Sequence, residues 1–204
     1  PISELFPNIS NHADQLCLLN GMHGDVPSHP QCFTQLHTGS FQFVRPSLGA
    51  WVLYGLGTQN RDLPGFITIK PPTRVGGAQN YGSAFLPAVY QGTPIGQLGG
   101  NLKESKLSNL RNPELSKKDQ RQQIDLLQSM NKDLRDRRPN NEQLEGVIES
   151  YELAFRMQGA VPEVMDLSGE PRHIQDLYGL GNPRTDDFGR QCLLARRLDR
   201  KSVV

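Results

Sequence analysis

The 204 residues contain no apolar run close to the roughly 20 that a membrane-crossing helix needs, and no basic-apolar-small leader opens the chain. The sequence therefore predicts no membrane span. An excess of one charge is also missing: 22 Lys and Arg stand against 21 Asp and Glu, for a formal net charge of +1. That balance gives no electrostatic case for nucleic acid or for an acidic membrane surface. Cysteine is scarce, and Cys17, Cys32 and Cys192 lie far apart with no CxxC pair, which argues against a disulfide framework or a structural zinc site. Nucleotide signatures are absent too. Gly55-Leu56-Gly57 lacks the third glycine and the preceding strand of a dinucleotide fingerprint, and neither a GxxxxGK[ST] loop nor a GxSxG elbow occurs. No repeat of 20 to 50 residues is visible. The chain opens on Pro1 rather than Met and closes on Ser202-Val203-Val204, an apolar run just beginning, so both ends read as cut. The missing leader then says little about the compartment.

What is present is enough sequence for one domain with a substantial core. Ser3 to Asp14 reads as a short helix limited by Pro7. Gln15 to Met22 is a short continuous apolar run closed by glycine, the pattern of a central strand buried on both faces of a parallel sheet. Helices are predicted from Ser28 or His29 to Thr38, with Pro30 in the first turn and Gly39 as the stop, and from Ser47 to about Leu56. Phe66 to Ile69 reads as a strand. Residues 71–101 are rich in glycine and proline, yet Tyr81, Phe85 and Tyr90 argue for an ordered loop over a site rather than a linker.

The second half reads as helical. Ser116 to Arg137 carries Ile124, Leu127, Met130 and Leu134 at helical spacing under a solvated charged face. A further helix begins at Asn140 and stops before Pro162, Arg172 to Tyr178 makes a short turn, and Asp187 caps Phe188 to Arg200. Arg196, Arg197, Arg200 and Lys201 form a basic end that complements the dipole of that last helix. Val203-Val204 would enter another strand. Buried strands alternating with helices predict a three-layer α/β fold, a mostly parallel sheet flanked by helices. A sheet-and-helix core over 1–70, a loop region over 71–115 and a helix-rich second half over 116–204 make up one partial domain.

Potentially reactive side chains are densest just after the first apolar run, at His23, Asp25, His29, Cys32, His37 and Thr38. Ligands of open α/β sheets gather beyond the carboxyl ends of strands, where a helix N-terminus offers free N–H groups to an anion such as phosphate or sulfate. His29, at such a start, has several roles open to it: donor to an oxyanion, metal ligand, nucleophile toward an ester, or a plain helix cap. His23, Asp25, His29 and Cys32 taken as a metal set match no standard zinc spacing. His37 follows His29 by about two turns, too far to share one small ion, and reads as core packing.

Longer blocks carry a resemblance. Asn20-Gly21-Met22-His23, Leu36-His37-Thr38-Gly39, Arg45-Pro46-Ser47-Leu48-Gly49-Ala50-Trp51, Tyr54-Gly55-Leu56-Gly57, Phe85-Leu86-Pro87-Ala88-Val89-Tyr90-Gln91-Gly92-Thr93, Ser150 to Gln158 and Phe188 to Arg197 resemble domain-of-unknown-function family 1501 of bacteria. That family looks like a sulfatase-like branch of the alkaline-phosphatase-like superfamily. The resemblance implies a partial alkaline-phosphatase-like core and a hydrolase of sulfate or phosphate esters using a divalent metal (Zn, Ca or Mg). It also implies export to the periplasm or cell envelope and a sulfated or phosphorylated small molecule or glycan as partner. Laying Leu36 to Gly39 on the Leu-Thr-Gly-like turn of sulfatases puts His29 near their nucleophile, with His23, Ser28, His37 and Thr38 as oxyanion or substrate contacts. The Cys-x-Pro-Ser-Arg motif is absent, so formylglycine chemistry is not expected. The main metal ligands are expected before Pro1 and after Val204. Lys70 ends a strand near where sulfatases often carry a lysine, although Pro71-Pro72 departs from their motif and an exposed strand-end lysine is the simpler reading. Two alternatives accompany the hydrolase: a catalytically silent relative that recognises anionic glycans through the loop around Tyr81 to Gln97, and an assembly component whose helices from Ser116 to Met157 pack on a partner.

Overall fold

The structure is a computed structural model that describes residues 2–100, 102, 114–137 and 142–202. The chain is mixed helix and strand. Helix α1 (Pro7–Ser10), α2 (His29–Thr38) and α3 (Leu48–Leu56) precede strand β1 (Ile67–Ile69). Strand β2 (Thr93–Ile95) follows after two 3-10 turns, and α4 (Lys117–Arg137), α5 (Glu142–Met165), α6 (Arg172–Leu177) and α7 (Asp186–Ser202) complete the order. The strands pair in parallel, Ile67 with Thr93, Thr68 with Pro94 and Ile69 with Ile95.

Local punctuation sets the first helices. Ser47 caps α3 by accepting from the Ala50 N–H at 3.4 Å, and Gly39 ends α2 at φ 74°, the left-handed conformation that suits a residue without Cβ. Pro7 begins α1 rather than limiting an earlier helix, because its missing N–H costs nothing at a helix start.

The core lies between the strand pair and the last long helices. Leu63, Ile95 and Leu102 meet Met157, Val161 and Val164 of α5 and Leu194 and Leu198 of α7, with Ile67 and Ile69 packed alongside. The α5 and α7 residues recur at three- and four-residue spacing, so each helix turns one stripe inward. A smaller cluster joins Leu167, Leu180 and Leu193 to Ile174 and Tyr178. On the other face of the strand pair the Phe66 ring packs so closely on α3 that a Cβ added at Gly49 would stand 2.4 Å from it. Glycine is what lets helix and ring meet there.

Several expectations change. Gln15 to Met22 forms no strand: Gln15 ends a 3-10 turn, and Leu16, Leu18, Leu19 and Met22 are exposed, since nothing among the described residues lies beside them to pair. The glycine- and proline-rich loop hides β2, whose Pro94 disguised it. Helix α5 does not stop before Pro162 but runs through it to Met165. The carbonyls of its last turn find a donor elsewhere, as Arg197 Nε donates to the Val164 carbonyl at 2.9 Å and its Nη2 to that of Glu163 at 2.8 Å. Arg197 also pairs with Glu170 at 2.5 Å. So this basic residue serves the end of α5 rather than the dipole of its own helix, while Arg196 lies 5.8 Å from the centre of the Tyr178 ring. Ile124, Leu127, Met130 and Leu134 do not form a buried stripe, for the last three are exposed. Helix α4 is instead tied to α5 by Arg121, which donates to both Glu152 oxygens at 2.8 and 2.7 Å, and by Gln128, which donates to the Ile148 carbonyl at 3.0 Å. The start at Asn140 and the strand at Val203-Val204 fall outside the described residues.

Candidate functional site

The first turn of α2 leaves backbone donors uncapped. Ser28 is the N-cap but its hydroxyl makes no capping hydrogen bond, and Pro30 contributes no N–H. The first backbone bond of the helix runs from the Cys32 N–H to the Ser28 carbonyl at 2.8 Å. The N–H groups of His29 and Gln31 therefore have no acceptor among the described residues, and they sit at the positive end of a ten-residue helix. His29 occupies the first helical position with an exposed imidazole that contacts no described partner. Uncapped amides at a helix start are a general place for an anion to bind.

The loop before α2 is held by polar contacts rather than by apolar packing. Gln35 reaches back to accept from the Asp25 N–H at 3.1 Å and to donate to the Asp25 carboxylate. The Cys32 thiol donates to the Val26 carbonyl, which fixes this half-buried side chain inward. One turn further along, Thr34 is buried and donates to the Pro30 carbonyl at 3.0 Å, and α2 packs on the 3-10 turn Gly77–Tyr81.

The remaining expected contacts do not converge on His29. His23 is exposed and its Nδ1 stands 3.3 Å from the Gly21 carbonyl. His37 is exposed, not packed in a core. Thr38 closes the far end of the helix, donating to the Thr34 and Ser40 carbonyls at 2.8 Å each. Of the five, Ser28 and His29 share one helix start, whereas His37 and Thr38 belong to the opposite end. Among the described residues no three His, Cys, Asp or Glu side chains come together to hold an ion.

A feature that sequence spacing misses lies at the carboxyl end of the strand pair. A cleft of about 530 Å³ is lined by Lys70, Gly99, Gly100, Gly181, Pro183, Asp186 and Asp187. Lys70 is the residue after β1, at φ 49° and immediately before Pro71, a backbone conformation that costs a lysine about 1–3 kcal/mol. It is not an exposed strand-end lysine: its side chain is 8 % exposed and Nζ meets Asp187 Oδ2 at 2.6 Å. Asp187 accepts further from the Leu102 N–H at 3.3 Å and from Gln191 at 2.9 Å. The Lys70 ammonium, with the Leu102 and Gln191 donors, holds its carboxyl below the usual range. Asp187 therefore lies within the first turn of α7 rather than capping it. Asp186 and Arg190 pair at 2.8 Å. Because each cation already has its carboxylate, the cleft is a latch joining β1 to α7 and offers an incoming anion no unmatched charge.

A third surface combines α3 with the loop. Trp51 meets Tyr54 edge-on at 6.0 Å and Phe85 at 5.8 Å, and Tyr54 meets Tyr90 at 5.2 Å. Trp51, Tyr54 and Phe85 are all exposed. Their three- and five-residue spacings along α3 and the loop were legible, but their convergence across more than thirty residues was not.

The model of a protein family of unknown function, DUF1501, matches residues 1–204. The chain belongs to the DUF1501 family. No curated protein and no solved structure matches it. Family membership thus agrees with the resemblance carried by the sequence blocks, and it assigns no chemistry to this DUF1501 chain. No helix among the described residues is long and apolar enough to cross a membrane.

Proposed function

We propose that this DUF1501 chain belongs to a hydrolase of sulfate or phosphate esters, with the first turn of α2 receiving the anionic group. The observation that supports this is the uncapped helix start: two amides without acceptors among the described residues, a Ser28 hydroxyl not used for capping, and an exposed His29 at the first helical position. In this reading the amides and Ser28 bind and orient the oxyanion while His29 donates to it, so negative charge that grows in the transition state is met by donors already in place. The sulfatase-like, three-layer assignment and an envelope location belong to the same proposal and rest on the sequence resemblance. Hydrolysis of paired aryl sulfate and aryl phosphate substrates, with and without added Zn, Mg or Ca, tests it. Turnover that falls at least about tenfold in His29→Ala is expected, in line with the loss of one positioned donor. Absence of turnover on both substrates under every condition overturns the hydrolase.

A second reading, a catalytically silent binder of anionic glycans, is favoured by the exposed aromatic shelf of Trp51, Tyr54 and Phe85. Flat exposed rings suit stacking against a sugar ring. Binding of a sulfated oligosaccharide without turnover, weakened by Trp51→Ala, would select it.

A further inference from the structure

The described asparagines differ in how firmly each is held. Asn60 Oδ1 accepts from the N–H groups of Asp62 and Leu63 at 2.7 and 3.1 Å. Asn80 is 5 % exposed and donates to the Val75 carbonyl at 2.8 Å. Asn182 accepts from the Arg184 N–H at 3.0 Å and precedes Pro183, which has no N–H. Asn8 and Asn131 lie inside α1 and α4, and Asn11 ends α1 ahead of the bulky His12. Asn20 has none of these restraints. It is exposed, its side chain bonds no described residue, and it forms the one Asn-Gly pair in the sequence. The turn from Leu19 to Met22 is closed by a single long bond, the Met22 N–H to the Leu19 carbonyl at 3.4 Å, while the Gly21 N–H donates to nothing described. The His23 ring meets the Gly21 carbonyl and leaves that N–H open. A Cβ on Gly21 would find nothing within 4 Å, so the turn stands in open space.

We propose that Asn20 is a site of spontaneous deamidation, in which the Gly21 backbone nitrogen attacks the Asn20 side chain. The Gly21 N–H gives its proton to water or a buffer base, its nitrogen bonds to Asn20 Cγ, and the side-chain nitrogen departs with a proton as ammonia. The product is a five-membered succinimide. Water then opens the ring at one of its two carbonyls. Breaking the new bond at Cγ gives aspartate, and breaking the original peptide bond gives isoaspartate, so asparagine and water become a carboxylate and ammonium with nothing oxidised or reduced. Glycine after the asparagine favours ring closure because a Cβ there would restrict the backbone excursion that brings nitrogen to carbonyl, and the attack is intramolecular. The new carboxylate cancels the formal net charge of +1. In isoaspartate the main chain runs through Cβ and Cγ, so the Leu19–Met22 turn is remade as well.

The 204-residue chain is incubated at mildly alkaline pH and followed by peptide mass spectrometry, with fragmentation spectra locating each change. Asn20 should gain the mass difference between O and NH, and its peptide should split on chromatography into aspartyl and isoaspartyl forms. The rate should exceed that of every other described asparagine by at least about tenfold. It should also match, to within a few-fold, the rate in a synthetic peptide of residues 16–25, because the folded chain restrains this turn so little. Gly21→Ala has room for its Cβ and needs no left-handed backbone, so its helix content by circular dichroism should be unchanged while deamidation at Asn20 slows at least about tenfold. A rate at Asn20 no higher than at Asn8 or Asn11, a folded chain more than tenfold slower than the free peptide, or a Gly21→Ala chain that reacts as fast as the parent would each overturn the proposal.

Discussion

Removing the Asp187 carboxylate isolates the energetics of the latch between β1 and α7. Asp187→Ala leaves the Lys70 ammonium, in a side chain 8 % exposed, without its partner at 2.6 Å. Breaking a fully buried ion pair from one side costs about 3–5 kcal/mol. Here Asp187 is 47 % exposed, so water reaches the pair and the cost falls to about 1.5–3 kcal/mol. In a chain of this length each kcal/mol moves the midpoint by about 2–4 °C, so thermal unfolding followed by circular dichroism should show a loss of about 3–12 °C. Lys70→Met removes the charge rather than stranding it and fills much the same volume, so it should cost less than about 1 kcal/mol. The double variant should then lie close to Lys70→Met alone, a coupling of about 1.5–3 kcal/mol. Additive effects, or an Asp187→Ala midpoint within 1 °C of the parent, would refute the reasoning. The depressed carboxyl fixes the sign with pH. The contribution is complete above the ordinary aspartate range and fades as pH falls through the lower folded value.

Three further outcomes follow from the packing. Arg197→Ala should lower stability by about 2–3 kcal/mol in urea unfolding, because it leaves the Val164 and Glu163 carbonyls and Glu170 without their donor. Arg121 and Gln128 hold the Glu152 carboxyl down to about 2 from an ordinary 4.5, so the stability gap between the parent and Glu152→Gln, about 1–2 kcal/mol at neutral pH after allowing for solvent, should be full above pH 4.5 and close as pH approaches 2. Gly49→Ala should cost about 1–3 kcal/mol, since its Cβ would stand 2.4 Å from the Phe66 ring, and Phe66→Leu in the same background should recover part of that loss.

Elements bounded by local chemistry were legible in the sequence. Ser28 with Gly39 and Ser47 with Gly57 mark α2 and α3 by residues that satisfy or release nearby backbone groups, and no distant contact is needed to read them. Elements that depend on distant partners were not. Pro162 looks like a stop because its cost is local, whereas Arg197, whose guanidinium donates to the last-turn carbonyls of α5, lies 34 positions from Glu163. Strand β2 escapes notice because three residues centred on a proline carry no periodicity. The apolar run from Leu16 has the local pattern of a buried strand, yet its leucines are exposed, because composition alone does not supply a surface to cover it. The helix start at His29 could be read from Ser28 and Pro30, while the Lys70–Asp187 pair spans 117 positions and left no mark on the local pattern.

The most direct measurement of the proposed anion site is a titration of the ¹⁵N-labelled chain with an aryl sulfate, followed by the amide resonances. The account predicts saturable shifts led by His29 and Gln31 at the start of α2, reduced in His29→Ala and accompanied by little change at Leu102 or Gly181 beside the Lys70–Asp187 cleft. Shifts centred on that cleft, or no saturable shift in the first turn of α2, would contradict it.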